Sequence, residues 1–280
     1  MLVILGDSHT IALHNGLAKL DSRTRRAARG SFGEVVVRDL SHGYKFFEPF
    51  FELDDQGVRL TDPRAVGILS KLPGGFAPIT ANDPRDFLFC FGFHPSATMD
   101  VKRWLTHTAA RSTPGKQYIS EALVRAAVQE HTRPMLDFFR LMQKMNVRFS
   151  VVMCCPLPRS FITEERRPLI SEDDILAYHQ LYRQTFAAEL DRLGVRYFTP
   201  PESTFDGPWL KEDYVNRKGI GDYHADARYG ALMLKKIIGA LTEGRRVPPP
   251  TPREILGGLR RKAGRLVRRV RGATAKRQAG

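Results

Sequence analysis

The feature that most constrains this chain is the regular exchange of two hydrophobic periods. Short apolar runs of strand length alternate with longer stretches whose apolar residues recur at helical spacing. Residues 2–5 form the first run. Gly6-Asp7-Ser8-His9 follows, and then Ile11, His14, Leu17 and Ala18 at helical spacing. This reads as strand, tight turn, helix. Three consecutive valines within 34–38 predict a second strand, and further strands are expected at 86–91, 147–154 and 195–198. Helical patterns cover 117–145, with Pro134 expected to kink or split the helix, and 171–193, opened by Ser171 and three acids and stopped by Gly194. The last helical pattern covers 225–241. Residues 49–62 place two apolar runs around Asp54-Asp55-Gln56-Gly57, which predicts a surface hairpin.

Strands alternating with helices predict an α/β fold whose central parallel sheet is covered on both faces. Sites in such sheets form outside the carboxyl ends of the strands. The polar residues expected there are Ser8 after the first strand, Gly43 beyond the second, His94 after the third, the 156–159 loop after the fourth, and Asp222 with His224 after the last.

A serine at a strand-to-helix turn projects its hydroxyl from the sheet edge, beside backbone N–H groups left unpaired at the helix start. Those donors suit an oxyanion. The hydroxyl needs a base, because a free serine is a weak nucleophile. His224 is the candidate, with Asp222 to orient its imidazole and stabilise the protonated form. Read singly, Ser8 is also compatible with a plain helix cap, Asp7 with a turn-holding hydrogen bond, and His94 with an ordinary loop histidine. His9, His14, His42, His107, His131 and His179 are expected to be structural or solvated, with His9 the doubtful one because it adjoins Ser8. No H-x-x-x-H or H-E-x-x-H spacing supports a metal site, and no cofactor is expected. Cys90, Cys154 and Cys155 lie in apolar runs and are expected to be small buried hydrophobes.

The combination resembles the SGNH (GDSL-type) hydrolase family. Gly6-Asp7-Ser8-His9 after an N-terminal strand is similar to the family's first block. Asp222-Tyr223-His224-Ala225-Asp226-Ala227-Arg228-Tyr229-Gly230 is similar to its last, and Pro156-Leu157-Pro158-Arg159 to a loop found in members. The resemblance spans roughly residues 1–241. It implies a three-layer α/β/α, flavodoxin-like fold with a central parallel sheet, and ester hydrolysis through Ser8, His224 and Asp222. The implied substrate is a small ester such as an O-acyl or O-acetyl group on a carbohydrate. It also implies oxyanion donors from the N–H of Ser8, from a glycine N–H, for which Gly43 is the candidate and Gly33 the weaker one, and from the third block. Asp7 is grouped with these as an oxyanion or substrate-binding residue.

The chain departs from the family pattern twice. The third block usually reads Gly-x-Asn, and here it is Gly92-Phe93-His94. An imidazole N–H can donate as an amide does, but it titrates near neutrality. Two residues usually separate the last aspartate from the histidine, and here only Tyr223 does. Either Asp222 serves all the same, which is favoured, or a backbone carbonyl holds the histidine. Acyl transfer at the same site and a non-catalytic binding or scaffold role are the alternatives to hydrolysis. Phe93 and Trp104 are candidates for pocket lining, with core packing the more ordinary role.

Net charge divides the chain. Residues 245–280 hold twelve Lys/Arg against one acid, Glu254, which leaves only +3 of the chain's +14 for residues 1–244. Pro248-Pro249-Pro250 and Pro252 form a stiff connector into GLRRKAGRLVRRVRG. The expected organisation is an α/β domain, 1–244, and a basic tail, 245–280, that is either amphipathic or a disordered solubilising segment. An anionic membrane surface or an acidic polymer is its expected partner. Nucleic acid is disfavoured, because few aromatics are present for stacking. The first residues lack a basic leader, and no run of about 18 apolar residues occurs. A cytoplasmic protein, peripheral at the membrane where the tail engages it, is the expectation.

Overall fold

In the chain's first strand, β1 (Leu2–Gly6), every residue is buried, and alternate side chains supply the two halves of the core. Val3 and Leu5 join one apolar cluster, Leu2 and Ile4 the other. This is what a strand covered on both faces requires. The structure is a computed structural model that describes residues 1–72, 75–94, 106–110, 113–217 and 222–244. Trp104, Gly221 and the basic tail 245–280 lie outside the described residues.

After β1 come α1 (Thr10–Leu17), α2 (Ser22–Phe32), β2 (Val35–Asp39), a hairpin of β3 (Phe51–Asp54) and β4 (Gly57–Leu60), α3 (Pro63–Leu69) and β5 (Asp86–Cys90). Two short pairing strands follow, β6 (His107–Thr108) and β7 (Gln117–Tyr118). The rest of the domain is α4 (Glu121–Lys144), β8 (Arg148–Val152), α5 (Glu172–Arg192), β9 (Tyr197–Phe198), the small pair β10 (Phe205–Asp206) and β11 (Trp209–Leu210), and α6 (Ala227–Leu241). The main sheet is parallel throughout, in the order β2-β1-β5-β8-β9. Helices α4 and α5 pack on one face and α1, α2 and α6 on the other. The result is the expected three-layer α/β/α arrangement with flavodoxin-like strand order.

Three expectations need correction. Pro134 does not split its helix, since α4 runs unbroken from Glu121 to Lys144. Proline removes one backbone donor, but Met135, Leu136, Phe138, Phe139 and Met142 bury that stretch in the core, and their packing outweighs the lost bond. The helix also starts later than residue 117, because Gln117 and Tyr118 pair with β6 and Ser120 caps the helix through Leu123 N–H. Finally, α2 has no counterpart among the sequence expectations. Its arginines hide a narrow inner face of Thr24, Ala27, Ala28 and Phe32, and Asp21 caps it.

The helix start expected at 171 is present, and it is a capping box. Ser171 and Asp174 exchange side-chain-to-backbone bonds at the start of α5. Asp174, fully buried, also receives Lys116 Nζ at 2.8 Å and the Thr108 and Thr113 hydroxyls. Burial alone would raise its carboxyl, but these bonds outweigh burial and hold it at about 2. Thr108, Thr113 and Lys116 are thereby tied to α5.

Candidate active site

The sheet order places a topological switch between β1 and β5. The chain steps from β1 to β2 on one side, then crosses to β5 on the other. A crevice opens at the carboxyl ends of such a pair. Ser8 stands just beyond β1 and His94 just beyond β5.

The local chemistry of the β1 turn is dictated by close approach. A methyl on Gly6 would overlap the Cys90 carbonyl, so only glycine lets the strands close there. The Asp7 N–H donates to Cys90 O at 3.0 Å, and the Asp7 carboxyl accepts the His9 N–H at 2.9 Å. Asp7 is 2% exposed and faces this turn. Burial raises its carboxyl to about 7, against the His9 N–H, which lowers it. It was expected among the oxyanion or substrate-binding groups; in the structure its carboxyl is buried and holds the turn through the His9 N–H.

Ser8 is half-buried at the crest of the turn, and its side chain does not cap α1. Its hydroxyl instead lies 2.8 Å from His224 Nε2. The Nδ1 of His224 lies 2.7 Å from Asp222 Oδ1, which also accepts the His224 backbone N–H at 2.9 Å. A carboxylate only accepts, so Nδ1 carries the proton and Nε2 is left to receive the serine's. The shortened Asp-x-His spacing therefore works through an Asx turn, in which the carboxylate reaches two residues ahead and grips backbone and ring together. The side chain of Asp222, not a backbone carbonyl, holds the histidine.

The His224 loop is anchored at both ends. Asn216 N–H donates to His224 O at 2.8 Å, and Asp226 N–H to Tyr214 O at 2.7 Å. Asp226 then caps α6, accepting the Arg228 and Tyr229 N–H groups. Helix α6 lies against α1, with Gly16 facing Gly230. A methyl on Gly230 would overlap the Ala12 carbonyl. This glycine contact lets the helix that follows Ser8 and the helix that follows His224 come together.

Gly43 opens a 3-10 turn, Gly43–Phe47, just past β2, the strand beside β1. Among the described residues, neither its N–H nor that of Ser8 donates to a protein acceptor. Gly33 ends α2 at the amino end of β2, on the opposite edge of the sheet, so it is removed as an oxyanion candidate. Phe93 packs in the core against Phe186 and Tyr197 at ring distances of 4.9 and 5.8 Å.

His94 is 4% exposed, and its Nε2 has no hydrogen-bond partner among the described residues. Its ring stacks on Tyr223 at 4.7 Å and meets His9 at 4.6 Å. Burial pushes its pKa well below the ordinary histidine value, and the charges of His179, His224 and Arg183 add to the shift. His9 and His179 are buried and depressed in the same way. Behind the relay there is thus a layer of neutral imidazoles. Arg183, which donates to the Cys154 and Cys155 carbonyls at 3.0 and 3.1 Å, supplies its positive field.

Sequence reading missed Arg183, the close packing of His9, and the Tyr223 ring, which stacks on both His94 and His224. Only the position of Tyr223 between Asp222 and His224 gave a signal. The three cysteines are buried, and burial raises all three thiols, Cys154 to about 12, which leaves them unreactive. Among the described residues no group of three or more His, Cys, Asp or Glu side chains is arranged to hold a metal ion.

Among the similar solved structures are proteins described as esterases and a lipase. They include a GDSL-like lipase from Bacteroides thetaiotaomicron, 12% identical, with 86% of this chain and 87% of that one covered at a TM-score of 0.41. The aryl esterase of M. smegmatis is 14% identical over 86% and 97% at 0.40, and a carbohydrate acetylesterase from Sinorhizobium meliloti is 12% identical over 86% and 97% at 0.39. No family model matches this sequence, and no curated protein matches it.

Proposed function

We propose that residues 1–244 form a serine ester hydrolase. The observation that carries this reading is the Ser8–His224–Asp222 relay, with links of 2.8 and 2.7 Å joining opposite ends of the chain. Ser8 Oγ attacks the acyl carbon as its proton passes to His224 Nε2. Asp222 holds the Nδ1–H and offsets the imidazolium charge. The oxyanion is received by the N–H groups of Ser8 and Gly43 and by His94. His224 returns its proton to the departing alcohol, and a water, deprotonated by the same imidazole, releases the acid and restores Ser8.

His94 takes the place of the family's third-block asparagine in this reading. Its burial keeps the ring neutral, so it acts as a fixed N–H donor, and its Nε2 has no hydrogen-bond partner among the described residues. A cleft of about 680 Å³ borders Asp222, with Ser160, Thr163, Glu164, Arg166, Glu212 and Arg217 beside the apolar Ile162 and Val215 in its wall. Such a lining offers partners to the hydroxyls of a sugar, which supports an O-acylated carbohydrate with its alcohol half on this side. From composition alone, the basic tail is proposed to dock the domain on an anionic surface, lipid headgroups first.

The test is labelling by a fluorophosphonate probe beside hydrolysis of p-nitrophenyl butyrate. The wild type is expected to label at Ser8, and Ser8→Ala and His224→Ala to lose about 10⁴-fold or more in turnover. A wild-type protein that neither labels nor turns over would instead favour a non-catalytic scaffold.

A further inference from the structure

A second cavity, of about 420 Å³, lies away from the relay on the α4 face of the sheet, between the β3–β4 hairpin, α3 and Phe138 of α4. Phe46, Phe50, Leu69, Ile79, Phe89 and Phe91 form much of its wall. The polar side chains of the lining, Arg59 and Ser70, belong to residues exposed at the rim, and Arg59 is paired there with Asp54 at 3.5 Å. Well-packed interiors leave few voids larger than a water molecule, whereas ligand pockets start near about 300 Å³. The wall is mostly apolar, so a sugar ring would be desolvated there with little compensation. An apolar chain would not.

Four residues of this cavity's wall, Leu5, Leu40, Phe46 and Phe91, lie close in sequence to the proposed carbonyl-binding groups. Leu5 precedes the Gly6-Asp7-Ser8 turn. Leu40 follows β2, and its N–H donates to Gly6 O at 2.7 Å. Phe91 follows β5 directly before Gly92, where φ is +93° and a methyl would strike the Phe186 ring, and the chain then turns to His94. Phe46 stands three residues after Gly43 in a 3-10 helix, where positions three apart eclipse. The same three strand ends therefore carry an apolar wall on one side and the oxyanion donors on the other.

We propose that this cavity holds the acyl chain of the substrate, a linear apolar chain whose carbonyl carbon is presented to Ser8. The inference rests on the ester-hydrolase reading and narrows it. The acyl half is a fatty chain in the apolar cavity, and the alcohol half faces the cleft beside Asp222.

Two measurements test it. The first is kcat/KM for p-nitrophenyl esters from acetate through octanoate to laurate. Each methylene buried is expected to raise kcat/KM by about fourfold until the cavity is filled. Ile79→Phe, which fills the cavity from its wall, is expected to cost at least about tenfold on octanoate and less than twofold on acetate. Val66→Trp, which closes the exposed rim with little folding risk, is expected to move the optimum to a shorter chain. The second measurement is saturable binding of cis-parinaric acid to Ser8→Ala, weakened by adding Ile79→Phe, which needs no turnover. An active enzyme with a flat chain-length profile, equal losses on acetate and octanoate, or no saturable binding would overturn the acyl-chain assignment while leaving the hydrolase standing. Absence of Ser8 labelling would overturn the hydrolase reading and this proposal with it.

Discussion

His94 shows what a single substitution in a motif demands of its surroundings. A solvated imidazole would titrate in the working range, but burial beside Arg183 and two further histidines keeps this one neutral. We expect His94→Ala to lower kcat about 10²–10³-fold, the cost of one oxyanion donor, and His94→Asn to recover activity to within about tenfold of wild type. Equal losses in both variants would mean that the ring only fills space. Asp7 carries a second residue-scale prediction. Its carboxyl rises from an ordinary 3.8 to about 7 on folding. A carboxyl raised in this way favours the fold below its unfolded pKa, and that contribution is lost as pH rises through the folded value, on the order of a few kcal/mol in total. Asp7→Asn keeps an oxygen for the His9 N–H and cannot ionise. It is expected to raise Tm over wild type at pH 8 and to give a much smaller difference at pH 5. Thermal melts at the two pH values check this, and a difference independent of pH would remove the explanation. Ser8, Asp222 and His224 were legible as candidates because their residue types and places in the chain carry the chemistry. The neutrality of His94 was not, because it is set first by burial and then by the charges of His179, His224 and Arg183, whose approach no local pattern encodes.

At the scale of elements, the contact that brings the two ends of the relay together is α1 against α6. Gly16 and Gly230 allow backbone-close packing, and a methyl at Gly230 has nowhere to go. Gly230→Ala is expected to cost about 1–3 kcal/mol or more and to reduce probe labelling of Ser8, because parting the helices draws His224 away. Gly239→Ala on the same helix meets nothing within 4 Å and is expected to stabilise by up to about 1 kcal/mol through helix propensity alone. Urea melts of both variants, read beside labelling, separate the two effects. The strands of the main sheet were legible within a residue or two because each is a dense apolar run between turn residues. Helix α2 was missed because its inner face is built from alanine and threonine, which give little hydrophobic contrast among arginines. The unbroken α4 was misjudged for the opposite reason. Pro134 is a strong local signal, and the aromatic packing that overrides it is tertiary.

At the scale of the whole molecule, the charge and the proposed catalytic relay are separate. The tail holds +11 of the net +14, and the relay lies in the near-neutral body. Removing residues 245–280 is therefore expected to leave kcat/KM on p-nitrophenyl butyrate within about twofold. The same truncation should abolish sedimentation with phosphatidylserine vesicles, and raised salt should weaken that binding in the full chain. Vesicle binding that survives truncation or ignores salt would place the contact elsewhere. The α/β class, the parallel sheet and the site at its carboxyl edge were determined by sequence alone, since hydrophobic period and turn chemistry are local properties and right-handed crossovers leave few topologies. What only the tertiary structure decided is whether an alcohol near one end and an imidazole more than two hundred residues away would meet. Hydrogen bonds work over about 3 Å, and that distance was set by the Asx turn at Asp222, the bridge that pins the His224 loop, and two glycines that let a pair of helices touch.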